Sequence, residues 1–319
     1  MNGNGLLRSG PQETMRERMK LVLGELADSD ERLFLLFSDI SCDDSFEALL
    51  RRHPERMVNV GIMEQTVLSA AAGVAIEGFI PVVHSIAPFI VERPFEQIKL
   101  DFAHQGVGGI FVSVGASYDW AAGGRTHQCP GDVALLSSLP GFAIRVPGHP
   151  DEAEAFLRSA AETDAPVYIR LSDQSNAGPI LDTAVDGIVL IRRGSSLAAT
   201  VLAVGPMLDR TIAATRDLDV SVLYAATVRP LDGDVLRSVA LGPDLIVVEP
   251  CLEGTALSAL AKALDDRPRR FLSIGVPHEE HRRYGTSEDH DRAHGLDSQG
   301  IRERMARFLH ARARPLPVS

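Results

Sequence analysis

The chain has 319 residues, 45% hydrophobic and 24% charged, the composition of a globular protein long enough for two cores. A formal charge of −11 leaves no basic surplus to neutralise phosphates, which argues against non-specific nucleic-acid binding. Cys42, Cys129 and Cys251 are far apart with no metal-ligand spacing, no run approaches the ~20 apolar residues of a membrane span, and residues 1–11 lack a secretory core, so a reduced cytoplasmic setting and a disordered start (1–12) are expected.

From 13 to 27 the apolar residues Met15, Met19, Leu21, Val22, Leu23 and Leu26 recur at helical spacing. Residues 33–37 follow as a short, wholly apolar run, as in a strand buried on both faces of a parallel sheet. Strand-like runs then recur at 57–60, 81–85, 109–114, 143–146 and 167–171, separated by helix-like stretches at 65–77, 88–104, 132–138 and 150–163. Pro150-Asp151-Glu152 opens its helix with a proline in the first turn and two acids facing the dipole. A second alternation places strands at 198–204, 221–224, 245–248 and 271–274, and helices at 207–216, 232–239, 255–264 and 298–313. Such alternation predicts right-handed βαβ units with helices covering the sheet. The expected fold is therefore two tandem open-sheet α/β domains, at 13–175 and 195–319. The loop-like 176–194, with Asn176-Ala177-Gly178-Pro179, is their expected linker.

The segment Val58-Asn59-Val60-Gly61-Ile62-Met63-Glu64-Gln65 runs from a β-prone stretch through a glycine into a small-residue helix. Glu64 therefore stands where a strand's carboxyl end meets a helix, the usual ligand position in an open α/β sheet. A glutamate there also complements the helix dipole, and the local residues alone do not separate the two roles. Gly123-Gly124-Arg125-Thr126-His127-Gln128 follows the strand at 109–114. By itself it is an ordinary polar loop; beside Glu64, His127 becomes a candidate proton-transfer group. The sequence holds no Gly-x-Gly-x-x-Gly, no Walker-type phosphate loop and no Gly-x-Ser-x-Gly elbow. His278-Glu279-Glu280-His281, with His290 and His294 nearby, has the wrong order for a zincin and reads as an exposed, charged segment, so no metal is assigned there.

Several segments occur in the order found in transketolases: Asn59-Val60-Gly61-Ile62-Met63-Glu64-Gln65, Gly78-Phe79-Ile80-Pro81, Phe89 with Arg93-Pro94-Phe95-Glu96-Gln97-Ile98, Thr126-His127-Gln128, and Pro166 to Leu171. They resemble most the separate C-terminal subunit of split transketolases. Leu202-Ala203-Val204-Gly205-Pro206, Thr227-Val228-Arg229-Pro230-Leu231-Asp232, Val247-Val248-Glu249 and Ile274-Gly275-Val276-Pro277 resemble that family's C-terminal domain, so the likeness covers 15–310.

The resemblance implies that the first domain is a pyrimidine-binding domain for thiamine diphosphate. Glu64 then hydrogen-bonds the ring nitrogen opposite the amino group. Phe89 stacks on the ring, Ile86 takes the place of a second aromatic, Ile62 belongs to the same surroundings, and His127 faces the substrate channel. In this family a separate domain with a Gly-Asp-Gly motif holds the diphosphate and its Mg2+ (or Ca2+); that motif is not in this sequence. The resemblance thus implies an N-terminal partner subunit and an α2β2 assembly. Several substrate positions depart from the family: Asp173 stands for a phosphate-gripping arginine, Asp43 approximately for a serine, Gly123 for an acid and Gly115 for a channel histidine. Arg93 and Arg125 remain as anion contacts. The expected activity is two-carbon ketol transfer to an acceptor other than an ordinary pentose phosphate, in specialised biosynthesis. The rival expectations are a 2-oxo acid dehydrogenase β subunit, a deoxyxylulose-phosphate-synthase-like enzyme, and a regulatory or scaffolding subunit.

Overall fold

Leu33-Phe34-Leu35-Leu36-Phe37 has no polar side to offer water, and it folds as β1 (Leu33–Phe37), an interior strand one place from the edge of a sheet with helices on both faces. The computed structural model describes residues 13–40, 44–180 and 187–311. The expectations for 1–12 and for Asp43 fall outside the described residues. Ahead of β1, α1 (Met15–Ser29) starts at Thr14, whose hydroxyl and the Glu17 carboxylate cap one another's backbone, and it buries Met15, Met19, Val22, Leu23 and Ala27.

Parallel partners of β1 follow as β2 (Met57–Asn59), β3 (Ile80–Ile86), β4 (Gly109–Val114), β5 (Ala143–Arg145) and β6 (Pro166–Arg170). Their order is β5-β6-β4-β3-β1-β2, and an antiparallel β10 (Thr227–Arg229) joins at β5. The second sheet has the order β12-β11-β8-β9-β7. In it β8 (Ala199–Val204), β9 (Ser221–Ala225), β11 (Asp244–Leu252) and β12 (Arg270–Val276) run parallel, and β7 (Ile188–Arg192) closes one edge antiparallel. Two open, mostly parallel α/β sheets are present, as the alternation predicts. Among the described residues no helix is long and apolar enough to cross a membrane.

The differences from the sequence reading have local causes. β7 lies inside the expected linker; as an edge strand it is only partly buried, so its signal is short and weak. β10, three residues long, belongs to the second alternation by sequence yet pairs with the first sheet. α2 (Asp44–Arg52) and α10 (Ser287–His294) are too polar to stand out as apolar periods. The expected single helix at 88–104 is instead two wide π-type turns, Pro88–Glu92 and Ile98–His104, flanking the short α4 (Phe95–Gln97). Pro94 has no N–H to continue a regular ladder, and the Arg93 N–H reaches five residues back to the Pro88 carbonyl at 3.0 Å.

The two sheets are tied by buried polar groups. Arg170 Nε donates to Asp132 Oδ2 (2.7 Å) and its Nη2 donates to Ser117 Oγ (2.7 Å), which in turn donates to the Pro250 carbonyl (2.5 Å). Tyr224, on β9, donates to Glu152 Oε2 at 2.6 Å, and the Gly148 N–H donates to the same oxygen at 2.8 Å.

Candidate active site

The carboxyl edge of the first sheet is organised by Asn59, the last residue of β2. Its Oδ1 accepts the N–H of Asp39 (2.9 Å) and of Gly61 (3.0 Å), fastening the loops after β1 and β2 to each other. Gly61 takes a φ of +76°, which favours glycine, and three residues later α3 (Glu64–Ile76) begins. Glu64 is 3% exposed, and its Oε1 accepts a 2.6 Å hydrogen bond from Arg93 Nη1. A carboxylate that only complemented the dipole would sit in water; this one is buried and held by a cation.

From Glu64 a continuous row of side chains follows. The Arg93 guanidinium lies 4.2 Å from the Phe89 ring centroid, Phe89 meets His127 edge-on at 5.3 Å, and His127 meets Trp120 edge-on at 5.3 Å. His127 Nδ1 is 2.9 Å from Thr126 Oγ1, so the imidazole is oriented by its chain neighbour. The π-type turns place Arg93 over Phe89, and the loop after β4 brings His127 and Trp120 to them. Trp120 was not singled out from sequence; the one signal was that it is the chain's only tryptophan, just ahead of Gly123-Gly124.

Beside this row an open cleft is lined by Arg16, Ile40, Ile86, Val114, Gly115, Trp120 and Asp173. Two of the glycines read as departures have a steric meaning here. A Cβ at Gly115, where φ is +70°, would stand 2.8 Å from Ile86 Cγ2. A Cβ at Gly123 would stand 2.9 Å from both Cβ and Cγ of His127. Ile86 and His127 thus fill the space that side chains at 115 and 123 would need, and each glycine is matched to its neighbour.

Burial pushes the Asp173 carboxyl above its ordinary range, with Arg16 opposing the shift. The Asp173 N–H donates to Asp119 Oδ2 (3.0 Å) and Ser172 Oγ donates to Asp119 Oδ1 (3.1 Å). Burial, and next the nearby Asp173 charge, push Asp119 up to about 7. The cleft wall therefore carries Asp173 and Arg16, with the Asp119 carboxyl bonded behind Asp173, where the sequence reading saw a simple charge reversal.

The remaining expected positions lie less centrally. Arg125 turns to its own loop and to the other unit, with Nη1 donating to the Gln128 carbonyl (3.0 Å) and Nε 3.4 Å from Glu280. Ile62 is 70% exposed and Met63 53%, so the surface beside Glu64 is apolar and open. In the segment read as exposed, His278, Glu279 and Glu280 are exposed, but His281, His290 and His294 are buried and pack together, and His290 stacks on Tyr118 at 4.9 Å.

Comparison with known proteins agrees with this geometry. Residues 12–177 match the family model described as "Transketolase, pyrimidine binding domain". An uncharacterised 33.6 kDa protein of the fasciation locus of Rhodococcoides fascians is 43% identical over 286 residues, covering 88% of this chain and 90% of that protein. A 1-deoxy-D-xylulose-5-phosphate synthase of Thioalkalivibrio sulfidiphilus is 30% identical over 88% of this chain, which spans only 44% of that enzyme's length. Among solved structures, a split-gene transketolase described as an inactive β4 tetramer superposes with a TM-score of 0.80 at 24% identity, over 94% of this chain and 99% of that one. Transketolase from Campylobacter jejuni superposes with a TM-score of 0.78 at 17% identity, over 93% of this chain and 47% of its own. The chain belongs to the transketolase family and carries that family's pyrimidine-binding domain.

Proposed function

We propose that this chain is the C-terminal, pyrimidine-binding subunit of a split thiamine-diphosphate-dependent enzyme of transketolase type. It would move a two-carbon ketol unit from a ketose donor to an aldehyde acceptor that is not an ordinary pentose phosphate. The observation that carries this reading is the unbroken row from Glu64 through Arg93 and Phe89 to His127.

The residues present fit the aminopyrimidine half of the cofactor. An acid buried at a strand–helix junction, an aromatic ring and aliphatic walls are what such a ring needs, and Glu64, Phe89, Ile86 and Ile62 are of those types. When bound, thiamine diphosphate supplies a carbon nucleophile and an electron sink. In this reading Glu64 shares a proton with the ring nitrogen through its other oxygen, Oε2, while Arg93, bonded to Oε1 and resting on Phe89, fixes the orientation of the carboxyl group. His127, oriented at Nδ1 by Thr126, has Nε2 left to hold or move a proton on a substrate oxygen. Asp173, with Asp119 bonded behind it, disfavours a phosphate at the far end of the cleft, because a carboxyl group stands there in place of a gripping cation. Arg16 keeps that end from being purely anionic, so an uncharged or amine-bearing acceptor suits it best.

The diphosphate and its Mg2+ or Ca2+ fall in this reading to an N-terminal partner subunit in an α2β2 assembly. Exposed Ile62 and Met63 beside Glu64, and exposed Trp120 against His127, support that assignment, since large apolar side chains left in solvent at a site suit an interaction face. The near-complete overlap in length with the split-gene transketolase chain supports it too. A cytoplasmic setting and a role in specialised biosynthesis accompany this reading. The test is reconstitution with the partner. Ketol transfer by the 1:1 mixture, with xylulose 5-phosphate and ribose 5-phosphate poor as a pair, is expected. Efficient turnover of that pair would contradict the acceptor assignment.

A second reading is favoured by the 30–31% identity to 1-deoxy-D-xylulose-5-phosphate synthases. It is a condensation that consumes pyruvate and releases CO2, and CO2 evolution from pyruvate by the same mixture would select it.

A further inference from the structure

The segment after β12 and the end of α10 bring together three groups that the cleft does not use. Glu279, His281 and His294 each offer a ligand atom, and these atoms lie within 4.8 Å of one another. His281 is 6% exposed and His294 7%. His281 Nε2 and His294 Nδ1 are both buried without a hydrogen-bond partner. A buried imidazole nitrogen left unpaired costs free energy, and two beside a carboxylate form a donor set suited to a borderline-soft divalent cation.

We propose that Glu279, His281 and His294 bind one divalent transition-metal ion, with Zn2+ as the best match. Bonds of about 2.0–2.2 Å at tetrahedral angles put ligand atoms roughly 3.3–3.5 Å apart. His294 Nδ1 and Glu279 Oε1 are already 3.8 Å apart, and the Glu279 side chain is 62% exposed and free to close in. The two imidazole planes are 81° apart with centroids at 4.9 Å, so the rings do not stack against each other. Water takes the remaining position, on the solvent side where Glu279 lies.

His290 completes the arrangement from outside the ion. Its Nδ1 is 3.3 Å from His294 Nε2, and its ring is pinned against Tyr118. Metal at His294 Nδ1 selects the tautomer in which His294 Nε2–H donates to His290, the usual way a second shell fixes a ligating imidazole. The neighbouring charges favour a cation only through Glu279 and Glu280, with Arg125 and Arg283 on the other side, so the histidines must be neutral when the ion binds.

The consequence is local order next to the catalytic loop. The same segment meets that loop through Glu280 and Arg125 (3.4 Å), through the Gln128 Nε2–H donated to the Arg283 carbonyl (3.2 Å), and through Tyr284 packed over Gly124. The ion would fasten the segment between β12 and α10, and with it the wall behind His127.

The test uses the untagged full-length chain, loaded with Zn2+ alone, gel-filtered and assayed for bound metal and melting temperature. About one equivalent retained and a raised Tm are expected. Glu279→Gln, at an exposed position, should weaken Zn2+ binding roughly tenfold or more, since even outer-shell losses cost 10–100-fold. His294→Gln should abolish the Tm response, and His104→Gln, on a distant exposed surface, should leave both readouts unchanged. No retained metal in the wild-type chain would overturn the proposal, and so would wild-type affinity in Glu279→Gln. Neither result bears on the cofactor reading, because no readout involves thiamine diphosphate or turnover.

Discussion

Two polar regions of this molecule face opposite fates. Between the sheets, Arg170, Asp132, Tyr168 and Ser117 form one buried hydrogen-bonded group and Tyr224 with Glu152 a second, with Asp132 Oδ1 alone left without a partner among these bonds. At the carboxyl edge of the first sheet, Glu64 is equally buried, yet its chain neighbours Ile62 and Met63 stand in solvent, as does Trp120 at the far end of the row, against His127. A closed network of the first kind holds a fold in one arrangement. An apolar rim around a held carboxylate is a surface waiting for another body, a cofactor ring and a partner subunit in the present reading. The seam is held within the chain, whereas the site, in the proposed reading, is completed by a partner.

The contrast is broken most severely at the seam. Arg170→Met leaves Asp132 charged and buried without its cation, and a loss of about 3–5 kcal/mol is expected in denaturant unfolding. Adding Asp132→Leu should return much of it; a single variant within error of wild type would contradict the closed-network description. At the site, Glu64→Gln should cut turnover of the reconstituted enzyme by about 10²–10⁴-fold, the range for a lost proton-transfer group. Its Tm should change little, because Arg93 is half exposed and can return to water.

Smaller effects sharpen the comparison. Gly115→Ala meets both a positive φ and Ile86, with an expected cost of about 1–3 kcal/mol. Ile86→Ala in the same chain should recover part of that, and strict additivity would mean the two positions are not matched. Tyr224→Phe removes one of the donors to Glu152 Oε2 while the Gly148 N–H stays, so about 1 kcal/mol is expected.

The smallest effect is in pH. Glu249, on β11, is buried, and burial pushes it up to about 7 although Ser273 Oγ and the Gly254 and Ala256 N–H groups donate to it. A carboxyl raised in the folded state favours the protonated form. Its contribution is therefore full below the ordinary value of 4.5 and is lost as pH rises through about 7. Tm measured against pH should fall less steeply across that window in Glu249→Gln than in the wild type.

How far this was legible from sequence depends on whether the signal was local. The strands at 33–37, buried but for a partly exposed Phe34, and 109–114, buried throughout, are mostly apolar runs, and that continuity gave their limits directly. Glu64 was visible because the strand–glycine–helix order is written in consecutive residues. β7 and β10 were not visible, since an edge strand and a three-residue strand leave little periodicity and owe their place to a partner far along the chain. Arg93 was read as an anion contact; its bond to Glu64 depends on wide helical turns that no propensity encodes. The burial of His281, His290 and His294 was hidden by the charged residues between them, although Thr286 caps α10 and turns the histidines inward.

The central claim is that the site is half of one, and calorimetric titration of thiamine diphosphate with Mg2+ tests it most directly. The account predicts no measurable binding by this chain alone and binding by its 1:1 complex with an N-terminal transketolase subunit. Tight cofactor binding and turnover by this chain alone would contradict it.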